Sequence, residues 1–478
     1  MFEHSSPLLL FEYFGVPSTL ARADSLSEPG QNGLLGACNW VRSVESERLL
    51  FRPSQDSIAR ISPELEPGGY RLRSMDLYGR VLPDSLVSAF LDSSWVAEES
   101  IEDRASHHIA SIWRDRDGNV FLPFDPNEAI LSFWSEAYDA PGLLGRRRLR
   151  ALSKAAYYRT RPLLPRAVQV SLRRSLRRVQ ERLPFPRWPI ETSLHDFYAY
   201  LFDVFAEVAG SRVPTLAPWP RNYSWALVLT HDVETSTGYR NVHLLRHLEL
   251  EADCRSSWNF VPRRYEVEDS FVDELLEDGF EVGVHGLYHD GRDFASLSTL
   301  LERIPAMREY AKKWRASGFR SPATHRVWEW MPLLGFDYDS SFPDTDPYEP
   351  QPGGCCTWLP YFNEELVELP ITLAQDYTLF TILRHEDERL WLEKAHFLRE
   401  HGGMALLITH PDYMLERRPR AAYARFLDAF REDRTVWQAL PREVSAWWRR
   451  RAASHLERSG QGWKIVGPAA EDGRIVDR

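Results

Sequence analysis

Residues 225–234 read WALVLTHDVE, a continuous apolar run that ends in two acids and an imidazole. A run of this kind is what a strand buried on both faces requires. A buried strand whose carboxyl end carries Asp232 and Glu234 looks built to hold something. A second apolar run, 280–284, ends the same way in His285-Gly286-Leu287-Tyr288-His289. The two strand ends supply two carboxylates and two imidazoles, the ligand set of a catalytic divalent metal site.

Outward from this stretch, short apolar strands alternate with helical stretches from about residue 214 onward. Strands are expected at 225–231, 256–261, 280–285, 318–321, 337–341, 366–371 and 405–410, with six helical connectors, among them 267–279, 297–318 and 386–402. Such alternation predicts an α/β fold with a parallel sheet and helices outside, and seven repeats suggest a closed barrel over 214–440. Chemistry in such barrels sits at the carboxyl ends of the strands. The polar residues of this region cluster there.

The rest of the chain reads differently. Residues 1–142 mix short apolar runs with turn signals such as Pro67-Gly68-Gly69 and Asp117-Gly118-Asn119, which suits an N-terminal mixed α/β domain. Its one histidine pair, His107-His108, reads as structural, because adjacent residues rarely point at one ligand. Residues 143–213 are expected to form a basic helical linker. Within it, 143–187 holds thirteen arginines and one lysine against the single acid Glu181, and the remaining chain has 44 basic and 68 acidic residues, a balance of −24. Val168, Leu172, Leu176, Val179 and Leu183 recur at helical spacing, largely opposite Arg173, Arg174, Arg177 and Arg178. A basic amphipathic helix over 165–183 can make weak contact with an anionic membrane surface. The preferred reading is that its apolar stripe packs on the neighbouring domain and its arginines pair with the acidic body. Pro184-Phe185-Pro186-Arg187-Trp188-Pro189 then reads as a stiff linker, and 441–478 as a C-terminal helix and tail.

With 478 residues and 43% hydrophobic content the chain can bury more than one core. A net charge of −11 argues against a general nucleic-acid binder. Cys38, Cys254, Cys355 and Cys356 show no C-x-x-C spacing, and an adjacent pair is a poor disulfide framework, so a reducing compartment is expected. The opening MFEHSSPLLLFEYFG lacks the basic start of a signal peptide. No run approaches the roughly 18 apolar residues of a membrane span. The expectation is a cytoplasmic protein with no transmembrane segment.

Five short motifs occur in order: Thr230-His231-Asp232-Val233-Glu234, His285-Gly286-Leu287-Tyr288-His289, Arg320-Ser321-Pro322, Asp337-Tyr338-Asp339-Ser340-Ser341 and Ile408-Thr409-His410. On these, residues 220–440 resemble the polysaccharide deacetylase, or NodB-homology, domain of carbohydrate esterase family four. The resemblance covers a little under half the chain and implies a distorted (β/α)7 barrel with metal-assisted hydrolysis. Asp232 matches the family's general base. Val233 stands where the family has a metal-binding aspartate, so Glu234 becomes the expected metal ligand beside His285 and His289. The division of labour between Asp232 and Glu234 stays open, and the competing reading is that Glu234 caps the following helix over a decayed metal site. The two histidines, four apart, are expected on one side of a helical turn.

The resemblance extends to further residues. Arg320 resembles the arginine that holds the catalytic aspartate, and the N–H of Ala323 matches the oxyanion donor. Asp339 is expected to tune the acid, or else simply to make a turn. His410 matches the general acid and Ile408 the residue lining the acetyl pocket. Gly286 replaces the hydroxyl residue that braces this loop in the family, so its brace must come from elsewhere. Trp258, Trp328, Trp330, Trp358 and Tyr361 fall in or near the top-face loops, and Trp328 and Trp358 are taken as stacking platforms for sugar rings, while several of the five can equally be core, since 17 tryptophans cannot all be ligand platforms.

Three functional readings follow. The first is a metal-dependent hydrolase, with zinc as the divalent metal, that removes N-acetyl groups from an acetamido sugar or glycan precursor. The second is a metal-free, degenerate barrel serving as a glycan-binding or assembly module. The third is a metal amidohydrolase for a small non-sugar amide.

Overall fold

Trp225–Val233 is a strand along its whole length and is buried at every residue, as its unbroken apolar run requires. It is the first strand (β1) of a parallel sheet that continues with β2 (Ser257–Phe260), β3 (Glu281–His285), β4 (Gly318–Arg320) and β5 (Tyr338–Asp339). The hairpin β6 (Tyr361–Asn363) and β7 (Leu366–Glu368), then β8 (Met404–Thr409) and β9 (Val436–Gln438), complete it. The strand order is β6-β7-β5-β4-β3-β2-β1-β8, with β9 paired to the start of β1. Only the β6–β7 pair is antiparallel. This computed structural model describes residues 1–21, 35–139, 170, 171, 173–175, 177, 180, 181, 183–460 and 462–478.

All seven expected strands are present, but the sheet is a curled, open one rather than the closed barrel anticipated. Among the described residues, β7 and β8 share no ladder. The seam is bridged past the end of β7 instead, where Thr372 and Leu373 N–H donate to the Leu406 carbonyl at 3.3 and 3.0 Å. The Thr372 hydroxyl donates to Met404 O at 2.7 Å and accepts from Leu406 N–H at 2.8 Å. The connectors also depart from expectation. Helices at Val242–Glu251, Asp269–Glu277, Leu297–Trp314 and Arg389–Glu400 lie between strands. The β4–β5 connection has only 3-10 turns, at Pro322–Thr324, Trp328–Trp330 and Pro332–Leu334. No helix lies between β5 and β6, a stretch that holds Pro343, Pro347, Pro350 and Pro352. Proline removes the donor that a helix interior needs.

The chain divides into two units, one made of Met1–Leu149, Thr192–Ala217 and Arg450–Arg478, the other of Arg150–Glu191 and Pro218–Arg449. The boundaries read from sequence therefore shift. The stretch taken as linker contains a 17-residue helix, Ser193–Ala209, that belongs to the first unit. Its buried Leu194, Phe197, Leu201, Phe205 and Val208 follow helical spacing and need an apolar partner. Phe205 meets Phe11 at 4.6 Å between ring centroids, and Phe202 meets Phe14 at 5.1 Å. The expected C-terminal tail ends in a strand, Ile475–Asp477, antiparallel to Pro214–Leu216. The same unit contains a nine-stranded mixed sheet, with parallel pairing, among the described residues, only of Phe2–His4 to Ser18–Leu20 and of Leu49–Arg52 to Val120–Phe121. A buried Arg52–Asp125 ion pair at 3.0 Å ties its strands to the helix Pro126–Trp134.

Of the basic helix over 165–183, residues 165–169, 172, 176, 178, 179 and 182 lie outside the described residues. The described positions between 170 and 180 are helical. Arg173 donates to Tyr348 O at 3.0 Å, Arg174 to Thr381 O at 2.9 Å and Arg177 to Leu383 O at 3.4 Å. Within the second unit these arginines reach backbone carbonyls, and Arg177 also pairs with Glu181. The proline-rich stretch that follows is docked as well, with Thr345 donating to Arg187 O at 2.8 Å. Among the described residues no helix is long and apolar enough to cross a membrane. All four cysteines are free.

Candidate metal centre

Strand alternation decides which side chains of β1 meet. Thr230, Asp232 and Glu234 share one face, and His231 and Val233 the other. On the neighbouring strands, β3 delivers His285, β4 Arg320, and the end of β8 His410. Glu234, His285 and His289 each offer a ligand atom, and these atoms lie within 4.8 Å of one another. His289 Nε2 is 3.1 Å from Glu234 Oε1. His285 Nδ1 donates to Arg320 O at 3.1 Å, which turns Nε2 inward as the lone-pair nitrogen. Nε2 of both histidines is buried without a hydrogen-bond partner. Two inward imidazole nitrogens lacking partners beside a carboxylate fit a divalent cation.

The expectation that Glu234 merely caps a helix is not met, because Thr235 is the cap of Ser236–Arg240 and accepts from the N–H groups of Thr237 and Gly238. Glu234 is instead held in place, its N–H on Asp412 Oδ2 at 2.9 Å and its Oε2 accepting from Tyr413 OH at 2.6 Å. Asp412 also accepts from Gly238 N–H at 3.2 Å and from the Thr235 hydroxyl. A Cβ at Gly238 would lie 2.1 Å from Asp412 Oδ2, so this position needs glycine.

The loop carrying the histidines is not the helical turn expected from their spacing. Gly286 has φ 61° and His289 φ 54°, and the segment between them is irregular. The rings still come together, with centroids 5.0 Å apart. A Cβ at Gly286 would lie 2.5 Å from both Asp293 Oδ2 and Pro322 Cγ. Any larger residue would collide with the Asp293 side chain, and Asp293, clamped by Arg303 at 2.7 Å, braces this loop.

Asp232 accepts from Asn259 Nδ2 at 2.9 Å and from Arg320 at 3.4 Å, and its Oδ2 is 3.9 Å from His285 Nε2. Burial works against its charge, but Arg320 and His285 overcome this and hold its pKa below the usual value. Glu234 behaves alike, with burial outweighed by His289 and its pKa held well below the usual value. Burial lowers His285 to about 4, against the pull of Asp232. His410 goes the other way. Burial opposes its charge, yet Asp376 raises it to about 10, with smaller help from Glu234 and Asp232. Asp376 accepts both His410 Nδ1–H at 2.6 Å and His410 N–H at 2.8 Å, which leaves Nε2 as the outward nitrogen, 4.0 Å from Glu234 Oε1.

Asp376 therefore occupies the place beside the histidine that Asp339 was expected to hold. Asp339 lies on β5, accepts from the Ser341 hydroxyl at 2.7 Å and is buried beside the Glu368 carboxyl. Burial and the facing Asp339 raise the pKa of Glu368 well above normal. Ala323 has φ 54° and sits half-buried in the 3-10 turn after β4, and among the described residues its N–H has no partner. Ile408 is buried on β8 opposite Thr230. Trp358 is not a platform. It is 3% exposed, packs edge-on to Phe397 at 5.2 Å, and its carbonyl accepts from Met404 N–H at the start of β8, the end remote from His410. Trp258 and Tyr361 are also core. Trp328 is half-buried and stacks on Tyr361 at 6.0 Å. Sequence reasoning passed over Asp376, Asn259 and Asp293, none of which belongs to a recognisable motif.

No family model matches this chain, and no curated protein matches it. Solved structures resemble part of it. A Mycobacterium smegmatis protein assigned as a polysaccharide deacetylase aligns at 19% identity over 52% of this chain and 98% of its own, with a TM-score of 0.41. PuuE allantoinase aligns at 18% identity over 48% and 92%, with a TM-score of 0.39. A Pseudomonas aeruginosa PAO1 protein assigned as a polysaccharide deacetylase aligns at 17% over 48% and 92%, also at 0.39. At such scores the functional reading rests on the site itself.

Proposed function

We propose that the chain is a metal-dependent hydrolase that removes N-acetyl groups from an acetamido sugar or glycan precursor. The observation that carries this reading is the set of Glu234, His285 and His289, whose two buried Nε2 atoms have no hydrogen-bond partner, placed between Asp232 and His410. These three residues would hold the metal, and two imidazoles with one carboxylate suit zinc. A divalent ion bound there supplies Lewis acidity, acidifying a water and polarising the amide carbonyl.

The chain's own residues complete the chemistry. Asp232, kept ionised by Arg320 and His285, accepts the proton of the attacking water. Asn259 and Arg320 fix the carboxylate so that its orientation does not change during attack. The Ala323 N–H, held in a left-handed turn, donates to the oxygen that becomes negative. His410, kept protonated by Asp376, gives its proton from Nε2 to the departing amine. Ile408 supplies an apolar wall for the acetyl methyl group.

The test is elemental analysis of purified wild type beside His289→Ala, followed by measurement of acetate release from N-acetylated sugars. About one equivalent of metal in the wild type, lost in the variant, with acetate released only by the loaded protein, supports the reading. A wild type that takes up no zinc, cobalt or iron overturns it. Metal uptake with turnover of simple amides but not of acetamido sugars would replace the sugar by a small non-sugar amide.

A further inference from the structure

A groove of about 480 Å³ opens between the loops that follow β2 and β3. The two loops are tied together by Arg263 N–H donating to Leu287 O at 3.0 Å. Its walls include Arg263, Tyr288, Arg292, Thr299, Glu302 and Arg303. Tyr288 immediately precedes His289, so one wall of the groove is the loop that carries the metal-site histidines.

The charge in this groove is unbalanced. Arg303 is answered by Asp293 at 2.7 Å and by Asp290 at 2.8 Å. Arg263 donates to the Tyr288 hydroxyl at 3.0 Å, with its guanidinium 5.9 Å from the ring centroid, and Arg303 lies 5.0 Å from the same ring. Among the described residues neither Arg263 nor Arg292 forms an ion pair. Glu302 is the one acid in the lining, against the guanidinium groups of Arg263, Arg292 and Arg303, and Asp290 beside the groove pairs with Arg303 and lies near Arg292. Guanidinium groups present paired N–H donors that match the oxygens of phosphate or carboxylate. The Tyr288 ring, held against Arg263 and Arg303, limits the freedom of the loop. The volume lies within the range of small-molecule sites, about 300–1,000 Å³.

We propose that this groove binds an anionic group, a phosphate or a carboxylate, borne by the acetamido substrate of the adjoining metal centre, through Arg263 and Arg292. The proposal rests on the hydrolase reading for its substrate but not for its binding site. The first experiment compares acetate release from N-acetylglucosamine 1-phosphate, N-acetylmuramic acid and neutral N-acetylchitobiose by wild type and the Arg263→Gln/Arg292→Gln variant. The ratio of kcat/KM for the charged sugar to that for the neutral one should fall at least about tenfold, chiefly through KM. A fall confined to the first compound identifies phosphate, and one confined to the second identifies carboxylate. A ratio that stays within twofold for both overturns the proposal.

The second experiment separates this failure from failure of the hydrolase reading. Binding of the two charged sugars is followed by calorimetry on His285→Ala, whose disrupted metal site cannot hold the anion itself. Saturable binding that weakens at least about tenfold when Arg263→Gln/Arg292→Gln is added supports the groove even if no acetamido compound is turned over. Absence of binding, or binding indifferent to both arginines, overturns it.

Discussion

Successive residues of β1 face two buried polar clusters of opposite character. On one side, His231 Nε2 lies 2.6 Å from Glu249 Oε1 and its Nδ1 2.7 Å from Thr409 Oγ1. Ser256 and Tyr423 hydroxyls also reach Glu249, and Trp258 stacks on the imidazole at 3.9 Å. Both nitrogens of His231 and both oxygens of Glu249 are partnered within the protein. On the other side, Asp232 and Glu234 face His285 and His289, each of which has a buried Nε2 with no hydrogen-bond partner. A buried polar group left this way costs about 1–3 kcal/mol. A closed network needs nothing from outside and serves the fold, here by locking β1 to β8 and to the helices Val242–Glu251 and Arg417–Ala429. An open one marks a place where something else supplies the missing partner.

The sharpest way to separate the two clusters is to loosen the open one without removing a metal ligand. Asp376→Asn removes the carboxylate that keeps His410 protonated and oriented. Turnover should fall by about 10²–10⁴, while elemental analysis finds the metal still bound. Metal loss in this variant would mean that Asp376 serves the ligand set rather than the acid. Breaking the closed cluster should produce the reverse pattern. Glu249→Ala strands His231 in the core and should lower unfolding free energy by about 3–5 kcal/mol, read from denaturant titration of the wild type and the variant. If stability holds and only activity falls, the two clusters are not distinct in kind.

Glu281, at the amino end of β3, offers the smallest and finest test. Its carboxyl accepts from Tyr338 OH at 2.7 Å and from Arg442 N–H at 3.0 Å, yet burial raises its pKa to about 7 from a usual 4.5. A raised folded pKa means that the native state binds the proton more tightly than the unfolded chain. Its contribution is therefore fully present below about pH 4.5 and is lost as pH rises through about 7. Over that window the loss should be on the order of 3 kcal/mol. Glu281→Gln should flatten stability between those pH values, and a slope that persists in the variant would place its origin elsewhere.

Much of this was legible in the chain. Strands such as 225–231, 280–285 and 405–410 were readable as short apolar runs, whereas 318–321 (GFRS) and 337–341 (DYDSS) carry no such run, and Asp232, Glu234, His285 and His289 stood out because they terminate apolar runs. Asp376 was not legible. It follows Leu373-Ala374-Gln375 in a stretch with no periodic signal, and only the seam between the end of β7 and β8 brings it to a histidine 34 residues later. Asn259 and Asp293 were missed for the same reason, since one reaches the site across a strand and the other across a loop. Trp358 was misread because position between strands says nothing about which end of the sheet a loop occupies. The H-x-x-x-H spacing picked out two histidines whose rings do come together, but by a different local geometry from the helical turn expected.

What the sequence by itself determined is the local part: which runs are strands, where each ends, and which chemical groups stand at those ends. These follow from burial and from the two-residue period of a strand, both of which act over a few residues. Only the tertiary structure decided that the sheet stays open, that Asp376 rather than Asp339 governs His410, and that the tail pairs with Pro214–Leu216. Those outcomes depend on contacts between residues far apart in the chain. Such contacts arise from how whole elements pack, and no local pattern carries them.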